Sequence, residues 1–241
     1  MEEIQNIYHE HNGVDGYRSM RIYLQRKGIS LSNLTVHNYM NKELGLYSIV
    51  RRKLPYGKKG VCHKVFPNLL EQNFQAEEKN QKWATDFTYL FLKDGKKRYN
   101  CSIIDLYDRS VVASITDKSM TSELAIRTLE KAIESQSLRK GTLILHSDQG
   151  SQYTAKEFIK YCESNEIIQS MSKAGYPYDN APMERYFNTL KNECVNLHEY
   201  DTEEELYRSV EEFAYVWYNH VRPHSYNGYQ TPFEARYGNK K

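Results

Sequence analysis

Apolar positions fall at helical spacing twice in the first 45 residues. Over 16–28, GYRSMRIYLQRKG, Tyr17, Met20 and Leu24 share one face and Gly28 supplies a stop. Ser32 is placed to cap a second helix over NLTVHNYMNKEL, with Val36, Tyr39 and Met40 inward and Gly45 as its end. The pair is helix-turn-helix-like, a spacing that any small helical pair shares. Periodicity vanishes over 46–80, where LPYGKKG reads as turn and linker. From 82 the pattern turns strand-like. KWATDFTYLFL is followed by the hairpin signal Asp94-Gly95, then by KRYNCSIIDLY and SVVASIT. Thr121 or Ser122 opens a helix with Ala125, Leu129, Ala132 and Ile133 on one face. TLILHS is a fourth strand and EIIQSMS a fifth. Between them a capping box of Thr154 and Glu157 starts a helix with Phe158 and Cys162 inward. Pro182 opens a further helix through MERYFNTLKNECV. Thr202 and Glu205 cap the last long one, with Leu206, Val210, Phe213 and Trp217 as its core stripe. The tail, YNHVRPHSYNGYQTPFEARYG, reads as loop. A strand meander followed by alternating helix and strand predicts an α/β domain with a mixed five-stranded sheet and flanking helices, preceded by a small all-helical domain. The expected organisation is a helical unit at 1–45, a linker at 46–80 and the α/β unit with its C-terminal helix and tail at 81–238.

Composition narrows the class. Of 241 residues, 39% are apolar and 27% charged, as in globular chains. No run of about 18 apolar residues offers a membrane span. The acidic, polar start MEEIQNIYHEHN is no signal peptide, and four cysteines without C-x-x-C spacing argue against a zinc ribbon and suit a reducing cytosol. The net charge of +2 conceals an asymmetry, because residues 1–75 hold 11 Lys/Arg against 6 Asp/Glu. No acid stands between Glu43 and Glu71, where Arg51, Arg52, Lys53, Lys58, Lys59 and Lys64 cluster. Such an arm binds a phosphate backbone through counterion release, or else is a solvated linker.

Three acids carry candidate chemistry. Asp86 lies inside the first strand, where an acid is costly to bury without a partner or a metal, and Ala84 and Thr88 on its face are small. Asp148 ends the apolar run LIL-HS, and Gln149-Gly150-Ser151 follows as a turn. Glu184 sits in a first helical turn, where the macrodipole favours a carboxylate. Each alone has a structural explanation. Together they fall on neighbouring strands and on a helix that can pack over them, and three hard oxygen donors converging on one spot suit Mg²⁺ or Mn²⁺. Two such ions can drive phosphoryl transfer. Lys191, seven residues after Glu184, faces the same way about 10 Å along the helix, and could hold a DNA phosphate.

The spacing of the acids, with 61 and then 35 residues between them, resembles the retroviral-integrase-type catalytic core. The words W-x-T-D-x-T-Y, H-S-D-Q-G-S-Q-Y, Y-D-N-A-P-M-E and Y-N-H-x-R-P-H…T-P resemble those of bacterial insertion-sequence transposases, specifically the product of the second open reading frame. The resemblance covers 82–238, and more loosely 16–70. It implies a ribonuclease H-like fold and metal-dependent DDE chemistry with no covalent protein–DNA intermediate. Water attacks the phosphodiester at the element's end, and the freed 3′-OH attacks a second phosphodiester. It implies that Asp86, Asp148 and Glu184 are the catalytic acids and the ligands of two Mg²⁺ or Mn²⁺ ions, and that Lys191 contacts DNA. Arg222 and His224 in the tail are taken as further DNA contacts. Element ends and target DNA are the implied partners, bound by a homo-oligomer in the bacterial cytoplasm at the nucleoid. Tyr176 in AGYPYDN departs from the family's usual Asn. No sustained heptads are present, so the resemblance implies a catalytic half joined to an upstream frame by ribosomal frameshifting. The alternative is a non-catalytic DNA-binding or regulatory fragment. A nuclease that cleaves without joining is a third reading. Asp105 or Asp108 could stand in for Asp86, and His220 with His224 has zinc-like spacing but no third ligand.

Overall fold

A computed structural model of the chain describes residues 1–49 and 64–238. The basic residues Arg51, Arg52, Lys53, Lys58 and Lys59 lie outside the described residues. Strands β1 (Lys82–Phe91), β2 (Lys97–Asp105) and β3 (Val111–Asp117) form an antiparallel meander. The first connection turns at Gly95, whose φ of +80° is the left-handed conformation that glycine adopts without a Cβ penalty. Two short strands, β4 (Ile144–Ser147) and β5 (Ile168–Met171), add parallel to β1 and to each other, giving the order β3-β2-β1-β4-β5. Parallel neighbours need crossovers, here helices α4 (Ser122–Ser135) and α5 (Lys156–Ser164). This is the mixed five-stranded sheet expected from the sequence.

Alternation along β1 divides the core in two. Trp83 points to α4 and α5, with Ile103, Leu129, Leu145 and Phe158. Ala84 and Leu90 point the other way, to helix α6 (Ala181–Glu193) and helix α7 (Glu203–Glu212), which continues as a π-helix over Phe213–Val221. Tyr186, Leu190, Leu206 and Phe213 close that layer. Each buried Leu or Phe contributes about 1.5–3 kcal/mol relative to exposure.

The N-terminal unit has three helices, α1 (Glu2–Glu10), α2 (Tyr17–Arg26) and α3 (Asn33–His37), the last running on as a π-helix over Asn38–Glu43. Ser32 caps α3 as expected, its hydroxyl accepting from Thr35 N at 3.1 Å. Helix α1 was not expected, because only Ile4 and Ile7 stand out in an acidic segment. Both are buried against Met20, Leu24, Val36 and Met40. The unit docks on the end of α7. The His11 and Trp217 rings meet edge to face at 4.8 Å, and Arg26 donates to Val221 O at 2.8 Å.

Two local expectations fail. Thr154 does not cap α5: its buried hydroxyl donates back to Gly150 O at 3.2 Å, and Ala155 takes the N-cap position. The tail is not all loop. It contains helix α8 (Pro232–Tyr237), with Pro232 in its first turn and a capping box of Thr231 and Glu234. Among the described residues no helix is long and apolar enough to cross a membrane.

Candidate active site

The ladder between β1 and β4 pairs Lys82 with Ile144, Trp83 with Leu145 and Ala84 with His146. Carried two residues further, that register sets Asp86 opposite Asp148. Adjacent strands lie about 4.8 Å apart, so the two carboxylates meet at the point where β4 ends. The Asp86 side chain is half-buried, and its carboxyl accepts from Phe87 N at 2.7 Å. Burial pushes it up to about 8, and the Asp148 charge pushes the same way, with a smaller push from Glu184. Lys191 opposes them.

The exposed Asp148 is held by its own turn, with Oδ1 accepting from Gly150 N at 2.8 Å. A Cβ on Gly150 would stand 2.8 Å from that oxygen and 2.9 Å from Gln152 Oε1. Gly150→Ala therefore has to swing the carboxylate away. Strand cleavage should fall roughly a hundredfold, as for an ångström-scale misplacement of a reacting group. A thermal melt should move little, because the turn is on the surface. Unchanged cleavage would mean that the Asp148 position does not matter. Tyr153, the last residue of the same word, is buried, and its hydroxyl lies 3.1 Å from Thr85 Oγ1, next to Asp86. The loop is thereby tied to both strands. His146 is fully buried, with Nδ1 2.9 Å from Ser170 Oγ and Nε2 3.1 Å from Ser172 Oγ. Burial lowers its pKa to about 4, which leaves a neutral ring that orders the strand end.

Glu184 comes from α6, whose start is fastened to the sheet. Asn180, before the helix, donates to Thr85 O at 3.3 Å. Asp179 is buried and accepts from Asn68 Nδ2, Gln72 Nε2 and Lys173 N. These fasteners lie inside the word Y-D-N-A-P-M-E, which was the signal that could have found them. Glu184 itself is exposed, on the helix beside the Asp pair. Lys191 stands two turns on, its ammonium 4.6 Å from the centre of the Tyr89 ring.

The remaining candidates lie elsewhere. Arg222 gives both arms of its guanidinium to Glu193, at 2.7 and 2.8 Å, so the carboxylate occupies the fork that a phosphate would need. His224 serves as a cap, its Nδ1 accepting from Tyr226 N at 3.3 Å. Burial and the charges of Arg222, Arg109 and Arg185 lower its pKa to about 3, so it is no cation at neutral pH. Below pH 6.5, its ordinary value, the unfolded chain takes up a proton that the folded chain refuses until about pH 3. Stability is therefore complete above pH 6.5 and declines as pH falls. Urea unfolding of His224→Asn should lose about 2 kcal/mol less than the native chain between pH 7 and 5. Equal losses would mean that the ring is solvated. Asp105 and Asp108 are fully buried and pair with Arg236 at 2.9 and 2.6 Å, so neither is open to a nucleic acid.

Among the described residues no three His, Cys, Asp or Glu side chains stand in a metal-coordinating arrangement. Asp86 and Asp148 are the converging pair, with Glu184 on the adjacent helix close enough for its charge to reach Asp86. Mutually repelling carboxylates with one cation beside them form a donor set suited to a hard divalent ion.

Comparison with known proteins identifies the family and the fold. Models of the integrase core domain match residues 76–177 and 165–232, and a model of an HTH-like domain matches 1–53. The chain is 33% identical over 233 residues to the transposase for insertion sequence element IS904 of Lactococcus lactis subsp. lactis (strain IL1403), spanning 96% of this chain and 90% of that one. It is 33% identical over 210 residues to transposase InsF for insertion sequence IS3A of Escherichia coli (strain K12), spanning 87% and 72%. Among solved structures, the simian T-cell lymphotropic virus intasome in complex with PP2A regulatory subunit B56 gamma aligns with a TM-score of 0.52 at 17% identity, over 99% of this chain and 75% of that one. The HTLV-2 integrase catalytic core domain in complex with magnesium aligns with a TM-score of 0.51 at 20% identity, over 67% and 99%. At these identities the two structures bear on the fold alone.

Proposed function

Since the chain belongs to the insertion-sequence transposases with an integrase core, we propose that it cleaves the DNA ends of its own element and joins them to a target through Asp86, Asp148 and Glu184. The observation that carries this reading is the meeting of Asp86, midway along β1, with Asp148, just past the end of β4, beside a helix start pinned to Thr85 by Asn180. The three acids would hold Mg²⁺ or Mn²⁺, two ions in all. When bound, such ions lower the pKa of water and offset charge on a leaving oxygen.

The residues of the chain then position the reaction. Gly150 N–H orients Asp148, Asn180 and Asp179 hold the start of α6, and Lys191 holds a phosphate of the strand being cut. In the first step a water oxygen bonds to phosphorus, the P–O3′ bond breaks, and the freed 3′-oxygen takes a proton. In the second, the oxygen of that 3′-OH bonds to a target phosphorus, the target's P–O3′ bond breaks, and the displaced 3′-oxygen gains the proton that the attacking hydroxyl gives up. The described DNA-binding set reduces to Lys191, because Arg222 and His224 are committed to Glu193 and to a turn. The basic arm at 51–59 remains proposed on sequence alone. Assembly as an oligomer on paired ends is proposed with it, and so is a contribution from an upstream frame.

The test incubates the full chain with Mg²⁺ or Mn²⁺ and duplexes carrying the DNA that flanks its gene. Nicked and joined products resolved on a denaturing gel are expected. Binding without joining, even after fusion to the upstream frame, would favour the regulatory reading.

A further inference from the structure

Strand β4 stops at Ser147, while β1 runs on to Phe91, so among the described residues β1 has no ladder partner on that side past the acids. Along this open edge lies a cavity of about 310 Å³, between the end of β1, the last turn of α6 and the segment leading to Tyr200. Tyr89 and Phe91 stand at its wall, 46% and 47% exposed, with their rings edge to face at 5.8 Å. The Lys191 ammonium faces the Tyr89 ring at 4.6 Å. Lys93 at the rim is paired with Glu199 and Asp201.

We propose that this cavity receives one unstacked base of the DNA strand whose phosphate lies at the acids, with Tyr89 as its stacking surface. The proposal rests on the catalytic reading above. Tyr89 is three residues past Asp86, about 10 Å along the strand and on the alternate side of the pleat. The link between them is therefore Lys191, which stands over the ring and whose charge also reaches Asp86. A length of about 10 Å is the span of one to three nucleotides. Lys191 lies a similar distance from Glu184 along α6. A phosphate held by the lysine thus delivers its own or the adjacent base to the ring. An exposed ring pair with a cation at one side matches a nucleotide, which presents an apolar face and an anion together. A folded protein partner would find only a small rimmed hollow. Ring stacking is sequence-tolerant, so the pocket would hold a frayed end in place and leave sequence reading to other parts of the chain.

The experiment measures anisotropy of labelled duplexes bound to the full chain without divalent metal, so that no strand is cut. One probe is fully paired, one ends in three unpaired thymidines, and one ends in three abasic sites. The native chain should bind the thymidine end about tenfold more tightly than either other probe. Tyr89→Ala should erase that preference and Tyr89→Phe keep it, because the ring and not the hydroxyl does the stacking. The abasic end should cost Tyr89→Ala nothing further. Absence of preference in the native chain, or equal weakening of all three probes by Tyr89→Ala, overturns the proposal. Circular dichroism melts check that the variants fold. The readout is separate from the catalytic assignment: loss of joining with the preference intact faults the acids, and the reverse faults the pocket.

Discussion

Asp148→Asn is expected to lower both strand cleavage and strand joining by about a thousandfold or more, roughly 4 kcal/mol of transition-state stabilisation. The substitution is nearly isosteric. Asn keeps an oxygen to accept from Gly150 N–H, so the turn should survive and the melting temperature should shift by less than about 2 °C. What it removes is the negative charge that pushes on Asp86 and that a divalent ion would need. DNA binding, measured at fixed salt, should persist. The two catalytic steps should fall together, since one set of acids serves both. Full activity in the Asn variant would transfer the chemistry to other residues. Loss of joining with cleavage retained would split the steps between two sites.

The second large effect concerns stability. Arg236 of α8 enters a buried pocket and donates to Asp105 and Asp108, with Asn80 Oδ1 and Gln136 Oε1 completing its bonds at 2.8 and 2.6 Å. Asp105 also accepts from Asn80 N and Tyr107 N, and Asp108 from Ser110 N. One guanidinium thus joins the last helix to the segment before β1, the end of β2 and the end of α4. Arg236→Met leaves two buried carboxylates without their cation. It should destabilise the fold by about 3–5 kcal/mol, or about 10 °C in a thermal melt. Burial and the Asp108 charge already push the Asp105 carboxyl up, and loss of the arginine would push it further. Adding Asp105→Asn and Asp108→Asn to the Met variant should recover part of the loss. A loss under 1 kcal/mol would mean that water reaches the carboxylates and the knot is solvated.

The candidate site was more legible in the sequence than this knot. Strand patterns marked β1 and β4, but it was the words around Asp86 and Asp148 and their spacing to Glu184 that made the two acids a pair. Periodicity by itself does not say which strands are neighbours. The position of α6 was legible only through the word around Glu184, since nothing in helical spacing says which sheet face a helix covers. Arg222 and His224 looked like DNA contacts because a cation and an imidazole in a polar tail have no visible partner. Glu193, which occupies Arg222, stands 29 residues back and meets it only in the fold. Arg236 was overlooked for the same reason, its partners lying 100 to 156 residues away. Thr154 misled in the opposite sense, because its pattern met the capping rule while its hydroxyl found a nearer carbonyl. In α8, Thr231, Pro232 and Glu234 did spell a helix start inside a segment whose Asn, His and Gly content suggested loop.

A four-residue strand has few ladder bonds with which to keep its place. Sliding β4 by one residue would turn Asp148 to the opposite face of the sheet and empty the site without unfolding anything. His146 guards against that. Its two nitrogens reach Ser170 on the neighbouring strand and Ser172 just past its end, and only one alignment satisfies both at once. The imidazole acts as an alignment key, a detent two residues upstream of the carboxylate whose place it sets.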